Sequence, residues 1–578
     1  MAETPLESVE ALIQIEDGSW LSFRNPVRVI ETRDVENVPA ALDAVTALTA
    51  GGSLHAAGFV AYEAGAAFGL SVCPGSDDLP LVWFALFEDR DVQPVASPTA
   101  SAGYELGPLA PSVDRTSFDA AFAEIKAHLS AGDTYQVNYT FRIAGTFLGD
   151  ARSLFADLAV AQQGRHSAYL RLGSHAICSA SPELFFSRAG HCVSARPMKG
   201  TVRRGRTLDE DRLQRDRLHQ SPKQRAENVM VVDMVRNDLG RIADVGSVAV
   251  PELFATERYP NVWQMTSLVT ARSSAPLAEV FAALHPSASV TGAPKVRTMQ
   301  ILSRLERRRR GVYTGAVGHV WPGGAAAFNV AIRTAVVDHR VGRIEFGVGS
   351  GIVWDSEPAE EYEECLLKGS VLGQRRAGFE LLETLRWSPP EGFYLLERHL
   401  QRLRDSAEYF GFAYRAEEVR SKLADAVAGG DGAWRVRLLV PPDGAARVER
   451  APLQTGSGPL QVCLAAEPID ASDPFLFHKT TNRGVYERAR RPGCDDVLLW
   501  NRRRQVTEAT VANVVVDLGG AIVTPPVECG LLAGTLRAEL LAAGAVREAA
   551  VTVEELLRAE RLWLINSVHG WRPAVIKR

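Results

Sequence analysis

Cysteine is scarce in this sequence, and what there is does not pair by spacing. The 578-residue chain has seven (Cys73, Cys178, Cys192, Cys365, Cys463, Cys494 and Cys529), scattered, odd in number and never in a CxxC pair. That pattern argues against a disulfide framework and a zinc site, and for a reducing compartment. Long apolar runs are missing as well, so no membrane span and no membrane partner are expected. The opening Met1-Ala2-Glu3-Thr4-Pro5 lacks the apolar core of a secretory signal, and a cytoplasmic protein is expected. A basic surplus is also absent: the net charge is −5, which gives no footing for nucleic-acid binding. The arginines that cluster, Arg203-Arg204-Gly205-Arg206 and Arg307-Arg308-Arg309-Arg310, are expected to be solvated helix ends.

What is present is ordinary globular material, 46% hydrophobic and 23% charged, in a chain long enough for two or more domains. Gly58–Glu63 and Leu81–Phe87 read as strands, and Pro94–Gly107 as a crossing loop. Ser117–Ala131 reads as an amphipathic helix, with Phe118, Phe122, Ile125 and Leu129 on one face. Asp133–Thr140 follows as a strand with polar residues on one side.

The chain is organised around Ser194-Ala195-Arg196-Pro197-Met198-Lys199-Gly200-Thr201. Lysine is a nucleophile only when its surroundings depress its pKa, and Gly200 lets backbone approach a ligand closely. Glu183, after a proline in an apolar strand setting, lies sixteen positions before Lys199, a separation a β-hairpin closes. Such a pair is either a satisfied ion pair or an acid/base beside a nucleophile. Arg225–Asp238 reads as a helix on which Glu227 and Asp233 do not share a face. In Glu360-Glu361-Tyr362-Glu363-Glu364, Glu361 and Glu364 do share one: a solvated face, or ligands for a hard cation that keeps its waters. Glycine-rich turns and a strand-borne Arg333 suit anion binding, although the glycine pattern fails as a nucleotide fingerprint.

SPELFF, PMKGT, AENVMVVDMVRNDLGR, SVTGAPK, YTGAVG, FNVAIRT, GVGSGIVWDS and EYEECLLK occur in this order over roughly residues 1–372. Together they resemble the chorismate-utilising enzyme family. The resemblance implies an α+β fold, a β-sandwich flanked by helices, with chorismate as substrate. Within the family a lysine in PxKGT marks the aminodeoxychorismate synthases, where anthranilate synthases carry a small residue. By that resemblance Lys199 attacks chorismate covalently and Glu183 is the acid/base. Glu227, Glu361 and Glu364 hold Mg²⁺, and Gly200, Thr201, Thr291, Tyr313, Arg333, Gly349 and Gly351 hold the substrate. Where the family often has a histidine in V-x-H-L-x-S, this chain has Gln264, which cannot shuttle a proton. Pyruvate elimination is therefore expected elsewhere.

After Gly373–Gly378, a basic and glycine-punctuated stretch read as the boundary, residues 379–578 begin a second domain. HLQRL, HKTTNR, TEATVAN and CGLLAGTLR resemble the fold-type IV pyridoxal-phosphate enzymes, a second α+β fold. The resemblance implies that Lys479 carries the cofactor and moves protons and that Glu508 meets the pyridine nitrogen. Arg402, with the backbone of Thr535 and Leu536, binds the phosphate. The ending Asn566-Ser567-Val568-His569 is similar to lyase members, with His569 where an arginine is frequent. A lyase consuming what the first domain makes gives a bifunctional route to 4-aminobenzoate. No cysteine sits in a G-x-C-x-G elbow, so a separate glutamine amidotransferase is the expected source of ammonia. Fold-type IV enzymes commonly dimerise, which implies a homodimer through this domain. The alternative is an anthranilate- or salicylate-type enzyme fused to a fold-type IV aminotransferase.

Overall fold

The computed structural model describes residues 5–75, 78–373, 378–454, 456 and 458–577. Residues 1–4 and the basic connector at 374–377 thus lie outside the described residues. The chain divides into two compact units, Met1–Arg203 with Arg215–Arg376, and Arg204–Gln214 with Ala377–Arg578. Residues 204–214 thus fall with the second unit, where the linear reading assigns 1–372 to the first domain and 379–578 to the second. Among the described residues no helix is long and apolar enough to cross a membrane.

The first unit is built on two antiparallel sheets, of eleven and ten strands among the described residues. Apolar runs such as Leu81–Phe87 show no alternation because both faces of these strands are buried. In Val82–Glu88, Trp83, Ala85 and Phe87 enter the layer between the sheets with Val9, Ala11 and Ile13. Val82, Phe84 and Leu86 pack on the opposite side with Leu42, Val45 and Phe281 from the helices Val38–Ala50 and Leu277–Leu284. The outer face of the other sheet receives Phe118, Leu154 and Tyr362 from the helices Arg115–Ser130, Ala151–Gln162 and Pro358–Gly369. The result is a helix–sheet–sheet–helix sandwich. Each fully buried Phe contributes about 1.5–3 kcal/mol by leaving water. The expected crossing loop after Pro94 carries strand as well, with Tyr104–Leu106 pairing onto Phe147–Gly149.

Two pairings position the site. The strand Arg343–Ile352 runs beside Gln136–Gly149 without a slip, which sets Gly349 opposite Thr140 and Gly351 opposite Asn138. Leu184–Ala189 and Cys192–Arg196 form a hairpin with Leu184 opposite Arg196, which brings Glu183 back to Met198.

The arginine clusters are not solvated ends throughout, contrary to the expectation. Arg310 is buried and donates from Nε and Nη2 to both Glu306 oxygens, at 2.9 and 2.7 Å, and to the carbonyls of Val290 and Asn138. Glu306 also accepts from Thr140, so the pair ties several elements together. Arg204 forks onto Asp211 at 2.5 and 2.6 Å with its guanidinium 4.3 Å from the Tyr409 ring centroid. A charge leaves water only when paired and hydrogen-bonded, and both arginines are.

In the second unit a four-stranded antiparallel sheet includes Leu381–Ser388, Trp434–Val440 and Arg447–Pro452, and an eight-stranded sheet carries the rest. Leu381, Leu385, Val436, Leu438 and Val440 pack on the helices Leu396–Phe410 and Ala416–Val427. One disulfide corrects the cysteine reading: Cys463 and Cys494 are bonded, Cα to Cα 6.0 Å. Cys463 lies on Leu460–Leu464, which pairs in parallel with Asp496–Trp500, so partners thirty-one positions apart meet through a crossover.

Candidate active sites

Lys199 sits near the start of the strand Met198–Arg203, its backbone gripped from the helix Pro222–Gly240. Asn228 donates to the Lys199 carbonyl at 3.0 Å and is itself fixed by Ser267 Oγ at 2.6 Å. On the adjoining position of the same helix, Glu227 Oε2 stands 3.9 Å from Lys199 Nζ. Burial pulls the lysine's pKa down, Glu227 pushes it back up, Lys368 pulls down again, and Glu364 and Glu361 oppose it more weakly. Desolvation wins, the condition under which a lysine acts as a nucleophile. A Cβ at Gly351 would fall 3.2 Å from Nζ, so the strand presents bare backbone to the amine.

Glu183 is buried, with Oε1 unpartnered among the described residues. Burial raises its pKa to about 7, against weaker opposition from Ser289 and the Met198 backbone. A carboxyl that is protonated near neutrality, with a vacant oxygen, is equipped to give or take a proton.

The other expected contacts divide. Arg333 lies within electrostatic reach of Tyr313 and Glu364, and its Nη1 donates to the Lys368 carbonyl at 3.1 Å. Tyr313 is buried with its ring against Gly347, where any Cβ would collide at 2.1 Å. Gly349 gives its carbonyl to Lys368 Nζ at 2.8 Å. Gly200 has φ 104°, a left-handed conformation that suits glycine. Thr291 spends its hydroxyl on the Ser287 carbonyl, and Thr201 spends its own on Gln264 Oε1 at 2.8 Å. Gln264 therefore holds Thr201 by a hydrogen bond.

Glu227, Glu361 and Glu364 all surround Lys199, and as hard oxygen donors they fit a cation such as Mg²⁺. Their carboxylates are not gathered as a ligand set, since Glu364 reaches Lys368 Nζ at 2.5 Å. Burial would raise Glu364, but Lys368, Lys199 and Arg333 outweigh it and hold the carboxyl below its usual range. The trio whose ligand atoms do converge, Asp78, His175 and Asp338, is filled by the Arg340 guanidinium. Lys368 is the residue that sequence reasoning leaves out of the site; its signal is the i+4 spacing from Glu364.

In the second unit, Lys479, Arg402 and Glu508 come together. Burial brings the Lys479 pKa down to about 8; Arg402 lowers it, Glu383 raises it, and Arg483 and Glu508 follow. Its carbonyl is fixed by the Leu382 N–H at 2.9 Å. Glu508, on the strand Val506–Ala509, is pushed up to about 8 by burial, while Tyr486 and the Leu532 N–H stabilise its charge. Arg402 forks onto Glu383 at 2.9 and 2.7 Å and reaches the Ala533 carbonyl at 3.1 Å. Glu383 also accepts from His399 Nδ1 at 2.6 Å, and His399 Nε2 lies 3.0 Å from Ser567 Oγ and 3.2 Å from Thr535 Oγ1. Thr535 and Leu536 open the helix Thr535–Ala542, whose first N–H groups have no intrahelical acceptor. A Cβ at Gly534 would lie 1.9 Å from Asn513 Oδ1, so a side chain there would have to displace Asn513. A buried lysine, a carboxyl facing a donor, an arginine and a glycine-led helix start fit pyridoxal phosphate. Tyr486, Glu383 and His399 are the partners that motif reading misses.

The model of the chorismate binding enzyme family matches residues 10–373, and that of the class IV amino-transferases matches 380–576. Aminodeoxychorismate synthase component 1 of Klebsiella aerogenes is 42% identical over 259 residues, 44% of this chain and 57% of that protein. An anthranilate synthase component 1 of Haloarcula marismortui is 38% identical over 261 residues, 45% of this chain and 53% of its own length. The chain thus spans little more than half the length of these curated relatives. Among solved structures, anthranilate synthase component I from Streptococcus pneumoniae superposes with TM-score 0.50 at 23% identity, over 65% of this chain and 94% of that one. That likeness speaks to the fold.

Proposed function

Because this chain belongs to the chorismate binding enzyme family and carries a class IV amino-transferase domain behind it, we propose that it makes 4-aminobenzoate from chorismate in two steps. The observation that carries the reading is Lys199, a desolvated lysine across bare backbone from Gly351, in a unit that also buries a neutral-range carboxyl at Glu183.

In the first step Lys199 Nζ attacks C2 of chorismate, and the C4 hydroxyl leaves as water with a proton from Glu183. Ammonia then bonds to C4, the bond from C2 to Nζ breaks, and the amine is restored. The net change is chorismate plus ammonia to 4-amino-4-deoxychorismate plus water. Glu227, Glu361 and Glu364 would hold Mg²⁺, which would supply charge neutralisation for a carboxylate of the substrate. Arg333 and Tyr313 orient the substrate, with Thr201 and Thr291 beside it, their hydroxyl protons held by Gln264 and the Ser287 carbonyl. Gln264 in place of a histidine supports stopping at the amino product, since an amide does not shuttle protons. A glutamine amidotransferase subunit supplies the ammonia in this reading, and the setting is cytoplasmic.

In the second step pyruvate is eliminated. Lys479, Glu508, Arg402 and the N–H groups of Thr535 and Leu536 would hold pyridoxal phosphate, which would supply the electron sink. Lys479 Nζ, near pKa 8, takes and returns protons at neutral pH. Glu508 would meet the pyridine nitrogen, and Glu383 fixes both Arg402 and His399, which in turn meets the hydroxyls of Thr535 and Ser567.

Two variants test the assignment by their products. Lys479→Ala, given chorismate, Mg²⁺ and ammonium, is expected to accumulate 4-amino-4-deoxychorismate. Lys199→Ala is expected to leave chorismate unconsumed yet to release pyruvate from added 4-amino-4-deoxychorismate. Anthranilate or salicylate from either variant would defeat the reading.

A further inference from the structure

A cleft of about 370 Å³ opens in the second unit, lined by Arg386, His569 and Arg572 with Leu453, Val568 and Trp571. Its volume is that of a small-molecule site. Among the described residues no acidic side chain lines it. The charges come from the sheet itself. In Leu381–Ser388 the odd-numbered residues face the helices, which leaves Leu382, Thr384 and Arg386 on the other face. The register sets Arg386 directly opposite Arg435 of the neighbouring strand.

Like charges directly opposite on antiparallel strands repel, and a fold usually answers them with a carboxylate. The same sheet face does so elsewhere: Arg437 pairs with Glu449, and Arg447 with Glu380. Arg386 and Arg435 have no such partner among the described residues. Arg386 instead lays its guanidinium over the Tyr394 ring, 4.5 Å from the centroid. His569 joins the cluster, its imidazole held below its usual range by burial first and then by Arg572 and Arg435. Beside these cations stand Leu453, Val568 and Trp571, apolar surface of the kind that covers a ring. The cleft also adjoins the cofactor site in sequence, because Val568 follows Ser567, whose hydroxyl meets His399.

We propose that Arg386, Arg435, Arg572 and His569 form the subsite that binds a carboxylate of the second unit's cyclic substrate. The proposal rests on the lyase reading, in which that substrate is a ring bearing two carboxylates. Arginine suits this task because its planar fork matches a carboxylate in two hydrogen bonds. His569, lining the same cleft, adds a further donor.

The test uses the full chain loaded with pyridoxal phosphate and two readouts. The first is pyruvate release from added 4-amino-4-deoxychorismate. Arg386→Gln and Arg572→Gln are each expected to raise KM at least tenfold, more than they change kcat, while the cofactor's absorbance band is retained. Arg386→Lys should recover part of the loss, and Arg437→Gln, whose partner is Glu449, should leave KM where it was. The second readout needs no turnover: calorimetric titration with 4-aminobenzoate, expected to bind at least tenfold more weakly to Arg386→Gln than to the parent chain. Pyruvate release with unchanged KM in both glutamine variants overturns the subsite and leaves the lyase standing. If the parent chain releases no pyruvate the lyase reading fails, and the titration then decides the subsite alone: equal affinity in parent and variant overturns it.

Discussion

The hydroxyl of Tyr486 donates to Glu508 Oε1 at 2.8 Å, and the same oxygen accepts the Leu532 N–H at 3.2 Å. Tyr486 is seven positions past Lys479, on the short helix Gly484–Ala489, so one segment places the lysine and steadies its acidic counterpart. A hydrogen bond to a charged group contributes about 1.5–3 kcal/mol. Tyr486→Phe should therefore weaken pyridoxal-phosphate binding about tenfold or more, read by equilibrium titration of the cofactor's absorbance. An unchanged affinity would mean that Leu532 alone positions Glu508.

Glu183 gives the first step a pH signature. Its pKa is raised to about 7, and as the acid that protonates the departing hydroxyl it must be in the neutral form. Chorismate consumption should fall as pH rises through about 7. Glu183→Gln should remove that limb and lower kcat by about 10²–10⁴. A falling limb of the same midpoint in the variant would assign the titration to another group.

Gly351 faces Lys199 Nζ where a side chain would stand 3.2 Å away. Gly351→Ala should push the amine off its approach line and slow the first step about 10²-fold, the cost of a misplacement near 1 Å. Pyruvate release from added 4-amino-4-deoxychorismate should be unaffected, which a coupled lactate dehydrogenase assay reads directly.

The Arg310–Glu306 pair is a matter of stability. Both side chains are almost completely buried, 1% and 5% exposed, and removing one partner leaves a charge without water. Arg310→Ala should destabilise the first unit by about 3–5 kcal/mol in denaturant unfolding. Replacing both residues with apolar side chains of similar volume should cost less than the single substitution.

These sites differ in how far they are legible in the sequence. The return of Glu183 to the Met198 backbone is readable because a hairpin is a local device that closes the chain on itself. Glu361 and Glu364 follow from helical pitch in the same way. Arg310 and Arg204 are misread because their partners, the carbonyls of Val290 and Asn138 and the ring of Tyr409, come from distant segments. An arginine run looks solvated when only its neighbours are counted. Cys463 and Cys494 escape for a related reason: a parallel crossover brings together residues whose spacing has no motif. The double-sided burial of Val82–Glu88 explains why the strand is easy to find and its layer is not. The role of 204–214 in the second unit has no local signal at all.

The central claim, that one chain carries chorismate through to 4-aminobenzoate, is tested most directly by a single incubation. The purified protein is given chorismate, Mg²⁺, pyridoxal phosphate and ammonium, and the products are separated by chromatography. The account predicts 4-aminobenzoate with an equal amount of pyruvate, and 4-amino-4-deoxychorismate left behind when pyridoxal phosphate is omitted. Anthranilate or salicylate in its place would contradict the role given to Lys199 and leave the second unit in need of another substrate.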